Sequence, residues 1–284
     1  MKRREFIAIV GATAAWPITV RSQQPNKIST IAVLWHAANA QEEGPYLEAV
    51  RQGLRDLGYV EGENLKLENR FPNEEPERFR SMAAELVSLK PNVLLAAGAS
   101  AAMTAKNATT MIPIVFIVVP DPIASKLVDS LAQPGGNVTG LSNFAVQLSA
   151  KRLEYLKQAF PDLSRVALLI NPNVAITRRY IEESEIAAAQ LNLTTQLVEA
   201  RDLDDLQGAF DTMVKGRAQA VAINAEGLFY QGQTIVAKLA REPTCVYSRE
   251  TLEAGALMSY GPDQRAIFRR AAAYAADQTW VRAR

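Results

Sequence analysis

From Ile28 onward, short apolar runs alternate with longer amphipathic segments, and this alternation constrains the fold more than any other feature of the chain. "ISTIAVLW", "NVLLAAG", "IPIVFIVV", "RVALLINP" and "QAVAINA" are nearly continuous in apolar residues, while "NLKLENRF" alternates with period two. "GNVTGLS", "TTQLVEA", "PTCVYS" and "GALMSY" complete the set of expected strands. Between them, "YLEAVRQGLRDLG" places Leu47, Val50, Leu54 and Leu57 on one helical face and closes at Gly58. "PERFRSMAAELVSLK" starts at Pro76 and stops before Pro91, as proline's fixed φ and missing N–H require. Further helices are expected near Ser100–Ala108, Ile123–Ala132, Thr177–Leu191, Phe229–Arg241 and Arg265–Ala276, and over "LDDLQGAFDTMVKG". Apolar strands separated by helices belong to parallel sheets covered on both faces. The expected class is α/β, with two doubly wound parallel-sheet lobes and a ligand cleft between them; one larger sheet is the alternative.

The start of the chain reads as an address. "MKRREFIAIVGATAAWPITVRSQQ" has a basic start, an apolar middle interrupted by Gly11 and Pro17, and Val20 and Ser22 ahead of a polar pair. The apolar run is shorter than the roughly 20 residues that span a bilayer. It fits an export signal over 1–22, cut before Gln23, and Arg3-Arg4 fits a twin-arginine route as well as an ordinary one. No cysteine follows it for lipid attachment, so a periplasmic product without a membrane span is expected. Loss of Lys2, Arg3, Arg4, Arg21 and Glu5 turns the formal +1 of 284 residues into −2. That balance lacks the basic footprint of a nucleic-acid partner.

Signals for catalysis are poor. His36 is the sole histidine, so a Ser-His pair or a histidine zinc site would rest on it alone. "GASAA" lacks the second glycine of a hydrolase nucleophile elbow, and no phosphate loop is present. The lone Cys245, inside "TCVYS", reads as a buried and inert thiol. No catalytic residue, metal ligand or cofactor is assigned.

In open parallel sheets, ligands bind beyond the carboxyl ends of the strands. Those ends carry His36, Gly98-Ala99-Ser100, Pro120-Asp121-Pro122, Asn171-Pro172-Asn173, Asn224-Ala225-Glu226 and Ser248-Arg249-Glu250. Small residues at Gly98–Ser100 open a helix start to a carboxylate, and Asp121 is suited to an ammonium. Singly, Asp121 also reads as a helix cap, and Asn-Pro-Asn as a turn.

Together, "RREF", "GLRDLGYVEGENL", "IPIVF…DP", "LAQPGGNVTGLS", "INPN" and "EAGALMSYGPD" resemble the substrate-binding proteins of ABC transporters related to the tryptophan and tyrosine binders. The resemblance implies a type I periplasmic-binding fold, with lobes at 28–141 plus 261–276 and at 142–260, joined by three crossings. "PGGNVTGLS" and "GALMSYGPD" would be the first two. Relatives continue beyond "DQTWVRAR", so 277–284 is expected to be an atypical, truncated tail.

By position, the resemblance implies a cleft lined by His36, Gly98, Ala99, Ser100, Asp121 and Asn143 from the first side, with Asn171, Asn224, Ser248 and Tyr260 facing them. Many relatives carry Asp where Asn224 stands. The function implied is a monomeric solute receptor that closes on a small amphoteric ligand, an amino acid, with aromatic ones among the candidates. It would deliver this ligand to a membrane permease and its ATPase. A sensing module reporting to a membrane partner, or an exported enzyme on the same fold, stand as alternatives.

Overall fold

The computed structural model describes residues 28–174, 176–240, 243–246 and 249–282, the side chains of 278–282 excepted. The leader at 1–22 lies outside the described residues.

The first lobe is built on β1 (Ser29–Leu34), β2 (Leu65–Arg70), β3 (Val93–Ala97), β4 (Ile114–Val119) and β5 (Val138–Ser142). The second uses β6 (Arg165–Ile170), β7 (Thr194–Glu199), β8 (Ala220–Ile223), β9 (Thr244–Val246) and β10 (Met258–Ser259). The sheets run β2-β1-β3-β4-β5 and β7-β6-β8-β9-β10, so both lobes repeat one strand order. Every pairing is parallel. Two separate sheets, not one, therefore carry the chain. Each order reverses once, between β1 and β3 and between β6 and β8; these reversals are where doubly wound sheets open a crevice.

The helices of the first lobe are α1 (Gly44–Asp56), α2 (Pro76–Ser88) and α3 (Ala99–Ala108). Those of the second are α4 (Ser149–Ala159), α5 (Thr177–Gln190), α6 (Asp205–Lys215), α7 (Gly227–Gln231), α8 (Gln233–Leu239) and α9 (Arg249–Glu253). The last helix, α10 (Gln264–Arg282), returns to pack on α1 and on β3, β4 and β5. Each sheet has an apolar cluster on both faces, as continuous apolar strands demand. Cys245 is buried between β9 and its neighbours, and burial raises its thiol to about 11, which keeps it inert.

Three sequence-based expectations are corrected. Residues 123–132 form successive turns rather than a helix. There, Ser125 N–H donates to Asp121 O and Leu127 N–H to Pro122 O, closing isolated turns. The helix expected over Phe229–Arg241 is two short ones, α7 and α8, which meet at Gly232. The helix expected to end at Ala276 runs on to Arg282.

Two crossings join the lobes among the described residues, after β5 and after β10. Arg152 of α4 is fully buried and ties both together. Its guanidinium donates to Ala145 O (2.7 Å) beyond the first crossing and to Tyr260 O (3.4 Å) at the second.

Candidate functional site

Both reversals of strand order face each other across the lobes, and a cavity lined by both lobes lies between them. About 630 Å³ of empty space, open solvent at its mouth included, lies among its lining atoms. His36 follows β1, Gly98 leads from β3 into α3, and Glu226 follows β8; each lines it.

His36 stands between two carboxylates. Its Nε2 is 3.3 Å from Glu43 Oε1 and its Nδ1 is 3.5 Å from Glu74 Oε1. Glu43 is fully buried and also accepts the Ala37 N–H at 3.3 Å. Glu74 reaches the site by an unusual path. Asn73 and Glu74 both hold left-handed φ values, +59° and +55°. Non-glycine residues in that region carry strain of roughly 1–2 kcal/mol each. The strain is held by Asn73 N–H donating to Ala37 O (3.0 Å) and Glu74 N–H to His36 O (2.9 Å). From the other lobe, Gln231 Nε2 donates to Asn73 Oδ1 at 2.8 Å.

The second lobe answers with Glu226. Its Oε2 accepts the Leu228 N–H (3.1 Å) and its Oε1 accepts Asn171 Nδ2 (3.4 Å). Burial first, then the nearby Glu74, push its carboxyl up to about 8, against the hydrogen bonds from Asn171 and Leu228. Burial likewise raises Glu74. The two acids approach because Gly227 has no side chain: a methyl there would collide with the Glu74 carboxylate and meet His36 Nδ1 at 3.4 Å. Tyr230, one turn on, inserts into the apolar cluster of the first lobe. Its ring lies 5.7 Å edge-on from His36 and 5.3 Å from Tyr46.

Val118, Gln264 and Phe268 add to the wall. Val118 adopts φ +54° where the register between β4 and β5 shifts, so a bulge turns a β-branched residue toward the cavity. Such strain gathers at functional positions.

Five residues expected in the cleft line this cavity: His36, Gly98, Ala99, Ser100 and Asn143. No side chain caps α3, so its first N–H groups face the space beside Gly98. The structure does not bring Asp121, Asn171, Asn224 or Tyr260 onto the wall. Asn171 acts through Glu226, as described. Asn224 is buried at the end of β8, its N–H donating to Leu169 O at 3.2 Å. Tyr260 packs its ring on Tyr155 at 4.8 Å. Ser248 lies outside the described residues. Strand-end reading missed Glu74, Tyr46, Tyr230, Gln264 and Phe268 among the lining residues, and Glu43 behind His36.

Asp121 sits at the edge of the cleft. It accepts the Ala124 N–H at 2.9 Å and faces Arg179 of the other lobe at 3.8 Å. Its oxygens are thus engaged within the protein, and Arg179 is half exposed, so the pair contributes little. Asp121→Ala is expected to cost about 1 kcal/mol of stability, the worth of a lost cap, with solute affinity changed by less than about threefold. Calorimetry of both proteins decides; a collapse of affinity would place Asp121 in the ligand's shell.

Comparison with known proteins agrees with this geometry. The family model described as ABC transporter substrate binding protein matches residues 28–277. The tyrosine-binding protein of Clostridioides difficile is 28% identical over 229 residues, 78% of this chain, and the chain spans 65% of that relative's length. A conserved domain protein from Vibrio cholerae has a solved structure with TM-score 0.82 and 26% identity, covering 88% of this chain and 84% of that one. An ABC domain from Streptococcus pneumoniae, solved in complex with L-Trp, gives TM-score 0.80 at 20% identity over the same shares. These likenesses identify the two lobes as a type I periplasmic-binding fold. With the family model covering nearly all the described residues, the chain belongs to the ABC transporter substrate-binding protein family.

Proposed function

We propose that the chain is the exported solute receptor of an ABC importer, which closes on a small amphoteric solute and presents the closed form to a permease and its ATPase. The observation that carries this is the cavity itself: one space, walled by both lobes, with opposite chemistries on its two sides. The uncapped start of α3 offers backbone N–H groups to a carboxylate. Glu226, rather than Asp121, offers a carboxylate to an ammonium, and the rings of Tyr46, Tyr230 and Phe268 offer an apolar wall. An amino acid or a near relative matches that set. Relatives that bind tyrosine and L-Trp by their names support the same class.

In this reading the first lobe comprises 28–141 with 261–276 and the second 142–260, the leader is cut before Gln23, and a monomer acts in the periplasm without catalysing a reaction. Closing the lobes excludes water and strengthens the few polar contacts.

A thermal-shift screen of amino acids, amines, organic acids and sugars tests the proposal. At one hundred times the dissociation constant, a ligand that binds only the folded form adds about 2.7 kcal/mol. That corresponds to several degrees, at roughly 2–4 °C per kcal/mol for a chain of this size. A shift with sugars alone would exclude an amphoteric solute; no shift with any compound would exclude a receptor of this solute range.

A further inference from the structure

The charges around the cavity do not match those of a neutral zwitterion. Glu74 enters from the first lobe and Glu226 from the second, with Glu43 behind His36. Among the described residues, His36 is the one lining the cavity that can carry a positive charge. The guanidiniums beside the cleft are engaged elsewhere. Arg179 faces Asp121 at 3.8 Å and Glu183 at 3.4 Å, while Arg265 holds Glu250 at 3.0 Å and Glu253 at 3.4 Å. Even a protonated His36 offsets one of these three carboxyls, and Glu226 is neutral only while it keeps the proton that burial and Glu74 hold on it. A zwitterion, whose own carboxylate cancels its ammonium, adds nothing to that balance. Tyr46 and Tyr230 line the same space. Among the described residues, no three His, Cys, Asp or Glu side chains are arranged to hold a metal ion.

We infer that the solute carries a net positive charge: an organic amine whose ammonium or amidinium sits between Glu74 and Glu226, beside the tyrosine rings. This rests on the receptor reading above and narrows it from amphoteric solutes to cationic ones, such as basic amino acids or amino-acid amides. In the empty cleft Glu226, raised to about 8 by burial and by Glu74, holds a proton that does the same electrostatic work. Near neutral pH the incoming cation replaces this proton, which leaves to solvent. The groups facing Glu226 in this exchange are Glu74 from the first lobe, itself 3.5 Å from His36, and Asn171 and the Leu228 N–H from its own.

The test uses the purified chain and a matched set of probes: L-tyrosine, L-tyrosinamide, tyramine, 3-(4-hydroxyphenyl)propanoate, L-arginine and L-lysine. At least one net cation is expected to bind about tenfold or more tightly than L-tyrosine, and the propanoate not at all. Glu74→Gln should weaken that cation about tenfold or more, the loss expected when one partner of a buried charged contact goes. If Glu74→Gln fails to fold, as read by circular dichroism, Glu226→Gln makes the same test. L-Tyrosine binding as tightly as every cation overturns the inference and leaves the receptor reading standing. So does a cation whose affinity survives the substitution. Binding of none of the six overturns the inference, and the wider screen above then decides the receptor reading separately.

Discussion

The ligand-free protein is expected to lose stability as the pH rises from about 5 to about 8, and Glu226→Gln to remove most of that loss. The carboxyl of Glu226 is raised from 4.5 to about 8 in the folded protein, chiefly by burial and then by Glu74. Between those two values the folded state holds a proton that the unfolded chain has released. Stability must therefore fall with pH across that window, being fully present below the unfolded value and gone once the pH passes the folded one. At 1.36 kcal/mol per unit, the penalty above pH 8 is about 3–5 kcal/mol, or on the order of ten degrees in melting temperature. Glu74, also raised by burial, adds to the fall with the same sign. Asp56, Glu68, Glu75 and Glu85 are lowered, first by hydrogen bonds to their neighbours, so their contributions are lost in acid, below this window. Cys245 titrates above it. Melting curves at half-unit steps from pH 4.5 to 9 test this directly. A flat wild-type profile, or an unchanged slope in Glu226→Gln, would remove the buried acid from the account.

That prediction depends on residues that the sequence exposes unequally. His36 and Gly98–Ser100 are legible because they stand at the carboxyl ends of β1 and β3, and strand ends follow from hydrophobic runs. Glu226 is legible for the same reason, as the third residue after β8, although nothing local distinguishes it from Asn224 as the acting side chain. Glu74 is not legible. It follows β2, an edge strand, and enters the cavity because the loop folds back over the end of β1 in a left-handed conformation. The forces that hold it there are hydrogen bonds to Ala37, His36 and Gln231, and residue types do not announce such partners. Tyr46, Tyr230 and Phe268 lie on helices and are buried in the apolar cluster of the first lobe. Their second role, as a cavity wall, arises where two lobes meet. The turns at 123–132 were hidden for a different reason: the segment has helix-forming residues, but Pro120-Asp121-Pro122 starts a turn that captures its backbone donors.

The same limit applies to packing, where one glycine decides how closely two helices of the first lobe approach. Gly53, in the middle of α1, lies against α10. A methyl added there would collide with the carbonyl oxygen of Arg269 and stand 2.7 Å from Ala272 Cβ, closer than real side chains come. A backbone carbonyl cannot rotate away, so the helices must part. Their contact holds much of the first lobe together. Phe268, Ala271, Ala272 and Ala275 are all fully buried, Phe268 stacks on Tyr46 at 4.6 Å and on Trp35 at 5.7 Å, and Arg269 pairs with Asp56 at 2.6 Å. Overpacking of this kind costs about 1–3 kcal/mol for one added methyl, against a gain of at most about 1 kcal/mol from alanine's better helix propensity. Gly53→Val, with more bulk and no such gain, is expected to lose about 3 kcal/mol or more, on the order of ten degrees. Gly208 provides the control. It is an exposed residue of α6 with nothing within 4 Å of an added methyl, so Gly208→Ala is expected to stabilise, by up to about 1 kcal/mol. Because α10 also brings Gln264 and Phe268 to the cavity, Gly53→Val should weaken solute binding together with the fold, whereas Gly208→Ala should leave binding unchanged. Denaturant melts of the variants with and without bound solute measure both effects, and equal stabilities for Gly53→Val and the parent chain would show that α10 is free to move away from α1.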